Sequence, residues 1–255
     1  MKTTNFSAAG IFLALMISPI QAAPIQFLVV PNAQTSTLGN DNSGSLAGSI
    51  ASLEFEDDFA KIQFSSVAGS LLITQMAFRL KPGTGSINAT ATSFAIYMST
   101  TQFAPNTNSG GVLLTTNFAT NRGPDNTLVA SGGSGTLWSS PGCSGLITCP
   151  FDMVYTFTTP FLYDRSKGFL LVDFQVAGYQ GVGTGQFDVE NYFQNPASAA
   201  VDEITAINGS TTGVQEYSDN ITQFGYTLVT PEPGSWALML SGFGAFAAMR
   251  RRRSS

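Results

Sequence analysis

Apolar side chains recur at every second position through the middle of this chain, and that period of two limits its fold more than any other feature. Ala60, Ile62 and Phe64 alternate with Lys61 and Gln63. Leu72, Met76, Phe78 and Leu80 fall on one face of 71–80, with Gln75 and Arg79 opposite. Phe94, Ile96 and Met98 repeat the pattern, as do Met153, Tyr155 and Phe157, and later Phe224, Tyr226 and Leu228. Successive side chains of a strand point to opposite faces, so each run reads as a strand with one buried face. Residues 169–176 (FLLVDFQV) are apolar on both faces over their first half, which is the pattern of a central strand. Turn-forming clusters separate these runs: Lys81-Pro82-Gly83, Asn121-Arg122-Gly123-Pro124, Asp164-Arg165-Ser166-Lys167-Gly168 and Gly181-Val182-Gly183-Thr184-Gly185. Many short strands at this spacing imply an all-β domain of two packed antiparallel sheets, a β-sandwich of jelly-roll type. Only 197–207 offers a helical turn between the ends. The chain has no repeat of fixed period, which argues against a propeller or a β-helix.

The two ends follow other rules. Lys2 precedes an apolar stretch at 8–17, too short to span a bilayer, and Pro19 and small residues up to Ala22 follow. This is the layout of a signal peptide over 1–22, with an N-terminal core helix as the alternative. At the far end Pro231-Glu232-Pro233 leads into an uncharged run at 234–249, then Arg250, Arg251, Arg252 and Arg253. A helix over 234–249 is about 24 Å long at ~1.5 Å per residue, against a bilayer core of ~30 Å. Trp236 suits one interface, and arginines that reach outward complete the other. Each arginine would cost about 3 kcal/mol at the bilayer centre, so the four together act as a membrane stop. The alternative is a buried core helix with a solvated charged end. The chain therefore divides into a signal peptide (1–22), a β-sandwich ectodomain (23–229) and a C-terminal segment (230–255) with a short transmembrane helix.

This C-terminal segment resembles the PEP-CTERM sorting signal of Gram-negative bacteria that make exopolysaccharide, with the Pro-Glu-Pro motif, hydrophobic helix and arginine cluster in order. The same tail is sometimes labelled an ice-binding protein C-terminal domain, which describes the tail alone. The resemblance implies an exosortase as partner, cleavage near Pro231-Glu232-Pro233, a transient inner-membrane anchor, and release or transfer to the cell surface. Segments 76–85, 97–104 and 159–174 also resemble stretches of other surface proteins with this tail, which are generally predicted β-sandwiches.

Charge narrows the function of the ectodomain. Once the ends are set aside, six Lys and Arg face fifteen Asp and Glu. Such a surface repels phosphates, so nucleic acid is not expected as a partner. The chain has no histidine, which excludes Ser-His-Asp and Cys-His hydrolases and His-ligated metal sites. Carboxylate chemistry remains. A glycosidase needs two carboxyl groups ~5–9 Å apart across a cleft, and Asp173, Asp188 and Glu190 are the candidates. Asp188 and Glu190 also fit a simpler reading, as solvent-facing partners of Phe187 and Val189. Calcium is the other carboxylate option. Glu54, Glu56, Asp57 and Asp58 form the densest acidic cluster, and Asp41-Asn42 adds a loop candidate. A solvated turn between strands ending at Phe55 and beginning at Phe59 explains that cluster equally well. No metal ligands and no cofactor are therefore assigned from sequence.

Cys143 and Cys149 lie close together in a turn-rich segment of an exported chain and are expected to form a disulfide. Trp138, Tyr163, Tyr179 and Tyr192 lie near loops and are candidates for stacking on sugars, with core packing as the alternative. The sequence thus predicts a non-catalytic envelope protein, structural or adhesive within the exopolysaccharide matrix. The alternatives are a carbohydrate-binding module and a carboxylate-dependent glycosidase.

Overall fold

The computed structural model describes residues 23–42, 46–105, 112–191, 201–216 and 218–229. The expected signal peptide at 1–22, the Pro-Glu-Pro motif, the expected helix at 234–249, Arg250 to Arg253 and Tyr192 lie outside these residues. In chain order the strands are β1 (Gln26–Val30), β2 (Asp41–Asn42), β3 (Gly48–Phe59), β4 (Leu71–Phe78), β5 (Ile87–Ala91), β6 (Ser93–Thr101), β7 (Thr127–Gly132), β8 (Gly135–Ser140), β9 (Met153–Tyr163), β10 (Phe169–Gly183), β11 (Asp188–Asn191), β12 (Val201–Ile207), β13 (Val214–Glu216), β14 (Ser218–Asn220) and β15 (Thr222–Leu228). Among the described residues one four-residue α-helix (Phe118–Asn121) and two 3-10 turns accompany them.

All named strand pairs are antiparallel. β1, β15, β4 and β9 form a four-stranded sheet, in that order. A larger eight-stranded sheet runs β13-β12-β3-β10-β5-β8, with β6 paired to β10 and β7 to β6. A small third sheet, β14-β11-β2, lies between chain segments that feed the other two. The architecture is all-β and sandwich-like, and aromatic contacts mark the seam between its layers. Phe174 on β10 stacks on Phe55 of β3, with centroids 5.0 Å apart, and meets the edge of Tyr155 from β9 at 5.2 Å. Phe59 on β3 meets Phe224 of β15 edge-on at 5.0 Å. Such pairs add to the area they bury through complementary quadrupoles.

The doubly apolar segment is the central strand it was expected to be. β10 is flanked by β3 on one side and β6 on the other, and 169–174 is buried throughout. At Gly178 the backbone takes φ +61°, a region that side chains disfavour, and a Cβ there would strike Thr92. Beyond that point β10 exchanges β6 for β5 as its neighbour.

Several local expectations give way. Residues 60–64 alternate like a strand, yet Lys61–Phe64 is a 3-10 turn that buries Phe64 and leaves Ile62 exposed. Leu72 does not share a face with Met76, Phe78 and Leu80. The β4–β9 register shifts between Ile73 and Gln75, so the buried positions change parity from 71 and 73 to 76 and 78. The glycine-rich 181–185 segment is strand up to Gly183. Val201–Ile207 is a strand and not a helical turn, because pairing with β3 overrides local propensity.

Cys143 and Cys149 are joined, with Cα atoms 5.5 Å apart and Cys149 buried against the core. Replacing both with serine should lower unfolding stability by roughly 2 kcal/mol, the entropy of closing so short a loop. Urea titration of the oxidised protein and the double variant measures the difference, and equal midpoints would mean the cross-link adds nothing.

Candidate functional site

The acidic residues concentrate where β3 meets β12 and β10, and the strand alternation divides them into two groups. Phe55 and Phe59 face the interior between the sheets, so Asp57 does too. Its register partner on β10 is the core residue Val172. Glu56 and Asp58 face the other side. There the segment around the short helix lays Leu114 and Phe118 against Leu171, Ile204 and Ala206. The turn expected between Phe55 and Phe59 does not exist: β3 is continuous through both residues, and Glu56, Asp57 and Asp58 are all fully buried.

On the outer side one guanidinium serves three carboxylates. Arg122 approaches Asp173 at 2.7 Å, Glu54 at 2.9 Å and Glu56 at 3.7 Å. Asn121 Nδ2 donates to Glu56 at 2.7 Å, and Gln175 donates to both Asp173 and Glu54. Burial pushes Glu56 up to about 8 despite the Asn121 bond. Burial likewise lifts Asp173 to about 6, with Arg122 opposing.

Five other acids, drawn from both sides of the same strands, form no ion pair among the described residues. Asp57 sits directly opposite Glu203 in the β3–β12 register, and Asp58 sits opposite Asp202. Like charges in directly opposed positions repel. Asp219 on β14 joins the inner pair: Asp57, Glu203 and Asp219 each offer a carboxylate oxygen within 4.8 Å of the others. Both oxygens of Asp57 and of Asp58 lack a hydrogen-bond partner among the described residues, as do one oxygen of Asp202 and one of Asp219. Gln215 donates to the other Asp202 oxygen at 2.8 Å, and the Thr205 hydroxyl contacts Glu203. Burial raises Asp57, Asp58 and Asp219 well above the usual carboxylate range, and neighbouring carboxylates add to the effect. Burial also lifts Asp202 and Glu203 to about 7.

The proposed glycosidase pair is otherwise engaged. Asp188 is buried in an ion pair with Arg79, with 2.8 Å from Nε to Oδ2, and accepts the Gly39 amide on its other oxygen. Burial raises the Asp188 carboxyl, and Arg79 opposes that rise. Arg79 also donates to the carbonyls of Gln34 and Thr37 and lies over the Phe151 ring. Glu190 accepts from Gln34 and from the Asn40 amide. Asp188 and Glu190 are therefore buried, and the solvent-facing reading is wrong for both. They hold the 31–40 segment against the small sheet. Trp138, Tyr163 and Tyr179 belong to the main core, so core packing explains these three of the four suggested sugar-stacking rings.

An open cleft of about 370 Å3 crosses the outer side of β6, β10, β3 and β12, where Ser52, Glu54, Gln175 and Ser210 line it together with apolar groups such as Phe94 and Val176. No helix among the described residues is long and apolar enough to cross a membrane.

Sequence reasoning found one member of the inner cluster, Asp57, and missed Glu203 and Asp219. The signal available was an Asp202-Glu203 pair inside an otherwise strand-like apolar run.

Residues 229–253 match the PEP-CTERM protein-sorting motif, as their resemblance implied. That motif implies an exported, exosortase-targeted protein that reaches the cell surface through a membrane-anchored stage. No match is found among curated proteins.

Two outcomes follow from the pairs. Arg79→Met should destabilise the domain by about 3–5 kcal/mol by stranding a buried carboxylate, while Arg79→Met/Asp188→Leu should recover much of the loss; denaturant titration of the three proteins tests this. For Asp173 the folded carboxyl binds its proton more tightly than the unfolded one. Its contribution is thus fully present below about pH 4 and is lost as pH rises through about 6. The stability of wild type relative to Asp173→Asn should accordingly fall between pH 4 and 7, and a rising difference would contradict the sign.

Proposed function

We propose that this chain is a non-catalytic structural or adhesive component of the exopolysaccharide matrix, carried to the surface by its sorting motif. In this reading a signal peptide at 1–22 starts export, and a jelly-roll sandwich over 23–229 is the functional cargo. The helix at 234–249, with Arg250 to Arg253, holds the protein in the inner membrane until an exosortase acts near Pro231-Glu232-Pro233. The observation that carries the reading is the sorting motif at 229–253. The engagement of Asp188 and Glu190 in internal bonds supports a role without catalysis, since a hydrolytic carboxylate must meet both substrate and water.

A second reading is a carbohydrate-binding module that uses the open cleft that Glu54 helps to line. Hydroxyl and amide side chains suit hydrogen bonds to sugars, and the Glu54 carboxylate in the lining favours a neutral over an acidic polysaccharide. Affinity electrophoresis in gels cast with the producer's own polysaccharide separates the two: retardation that Gln175→Ala abolishes favours the module.

Intact-mass measurement of the surface-released protein, in strains with and without the sorting enzyme, tests the principal reading. The enzyme-containing strain should yield a chain lacking its leader and the residues after the Pro-Glu-Pro motif, and the other strain should retain the tail. An uncut tail in both would replace processing with a permanent anchor.

A further inference from the structure

We propose that Asp57, Glu203 and Asp219 form a calcium site that pins the small sheet to the large one. Oxygens bound to one calcium ion at ~2.3–2.6 Å can stand no more than about 5 Å apart. The three carboxylates meet that limit together, with oxygens within 4.8 Å of one another. They come from β3, β12 and β14, so two sheets contribute.

The second observation is independent of the clustering. Asp57 is fully buried, and neither of its oxygens has a hydrogen-bond partner among the described residues. Asp219 is 3% exposed with one oxygen in the same condition. A buried carboxylate without a partner is expensive, and two facing each other are worse. Four other acids of this molecule receive a counter-charge: Arg79 answers Asp188, and Arg122 answers Asp173, Glu54 and Glu56. Among the described residues no Lys or Arg forms an ion pair with Asp57, Glu203 or Asp219. A cation from solution supplies what the chain withholds.

The donor set selects the ion. Three carboxylates and no histidine or thiolate suit a hard cation that takes oxygen, which excludes copper and the usual zinc sets. Magnesium demands near-ideal octahedral geometry and keeps most of its waters, whereas calcium accepts irregular, carboxylate-rich, largely dehydrated surroundings. Asp58 and Asp202, on the opposite side of the same strands, add negative potential without being assigned as ligands. The acidic run that stands out in the sequence thus contributes one ligand, and its two others lie more than a hundred residues further along the chain.

The test is thermal unfolding of the full chain in detergent micelles, stripped with a chelator and then titrated with calcium or magnesium. Calcium at roughly a hundred times its dissociation constant should raise Tm by about 5–10 °C, and magnesium should do much less. Asp57→Asn and Asp219→Asn keep side-chain shape and remove charge. In chelator each should melt higher than the wild type, because repulsion is relieved, and each should lose most of the calcium shift. Asp164→Asn, in the β9–β10 turn, should keep the shift. An unchanged wild-type Tm in calcium, or a full shift in both Asn variants, would overturn the site. An equal response to magnesium would overturn its assignment to calcium. The readout needs neither export nor matrix binding, so it stands or falls separately from the proposed function.

Discussion

A strand covered on both faces must place every side chain inside the protein, whatever its sequence. That is the condition of β3 between Phe55 and Phe59, where the residues read Phe-Glu-Asp-Asp-Phe. The two phenylalanines and Asp57 are committed to the seam between the sheets, and Glu56 and Asp58 to the space beneath the 112–126 segment. Three carboxyl groups enter the interior as a direct result of strand geometry. Much of the remaining polar architecture follows from accommodating them, including the placement of Asn121 and Arg122 and the approach of β12 and β14.

The molecule handles buried carboxylates in two ways. Where a guanidinium is present, the acids become fasteners. Arg79 ties β4 to Asp188 and to the carbonyls of Gln34 and Thr37, so one side chain joins the four-stranded sheet, the small sheet and the segment between β1 and β2. Arg122 does the same for the outer face of the large sheet. Where a guanidinium is absent, the fold can keep the acids protonated or recruit an ion. With six Lys and Arg against fifteen acids between residues 23 and 229, the chain cannot pair them all. The choice between proton and ion is set by surroundings that the polypeptide does not carry with it.

The fold was legible where alternation was long and unbroken. The runs at 94–98, 153–157 and 224–228 and the doubly apolar 169–174 all became strands, because burial of one or both faces leaves its period in the sequence. Short runs misled. The alternation at 60–64 is too brief to distinguish a strand from a tight turn that buries Phe64. The bulge in β4 shifts parity where no glycine announces it. The carboxylates misled most, since acidic residues normally mark solvent. Glu54, Glu56, Asp57 and Asp58 resemble an exposed turn, and Asp188 and Glu190 an exposed edge. Nothing local reveals that Arg122 or Arg79 will reach them across the fold. The disulfide and the sorting motif were readable because each depends on neighbours in sequence alone.

The pairing of β1 with β15 has a spatial corollary. The two strands run antiparallel, with Gln26 opposite Tyr226 and Val30 opposite Thr222. The start of β1 and the approach to the sorting motif at 229–253 are therefore side by side, at one pole of the four-stranded sheet. A domain hung from lipid by either connection, or by both, would present the opposite pole outward in every case. Strand pairing alone would set the face that such a tethered domain turns to its surroundings.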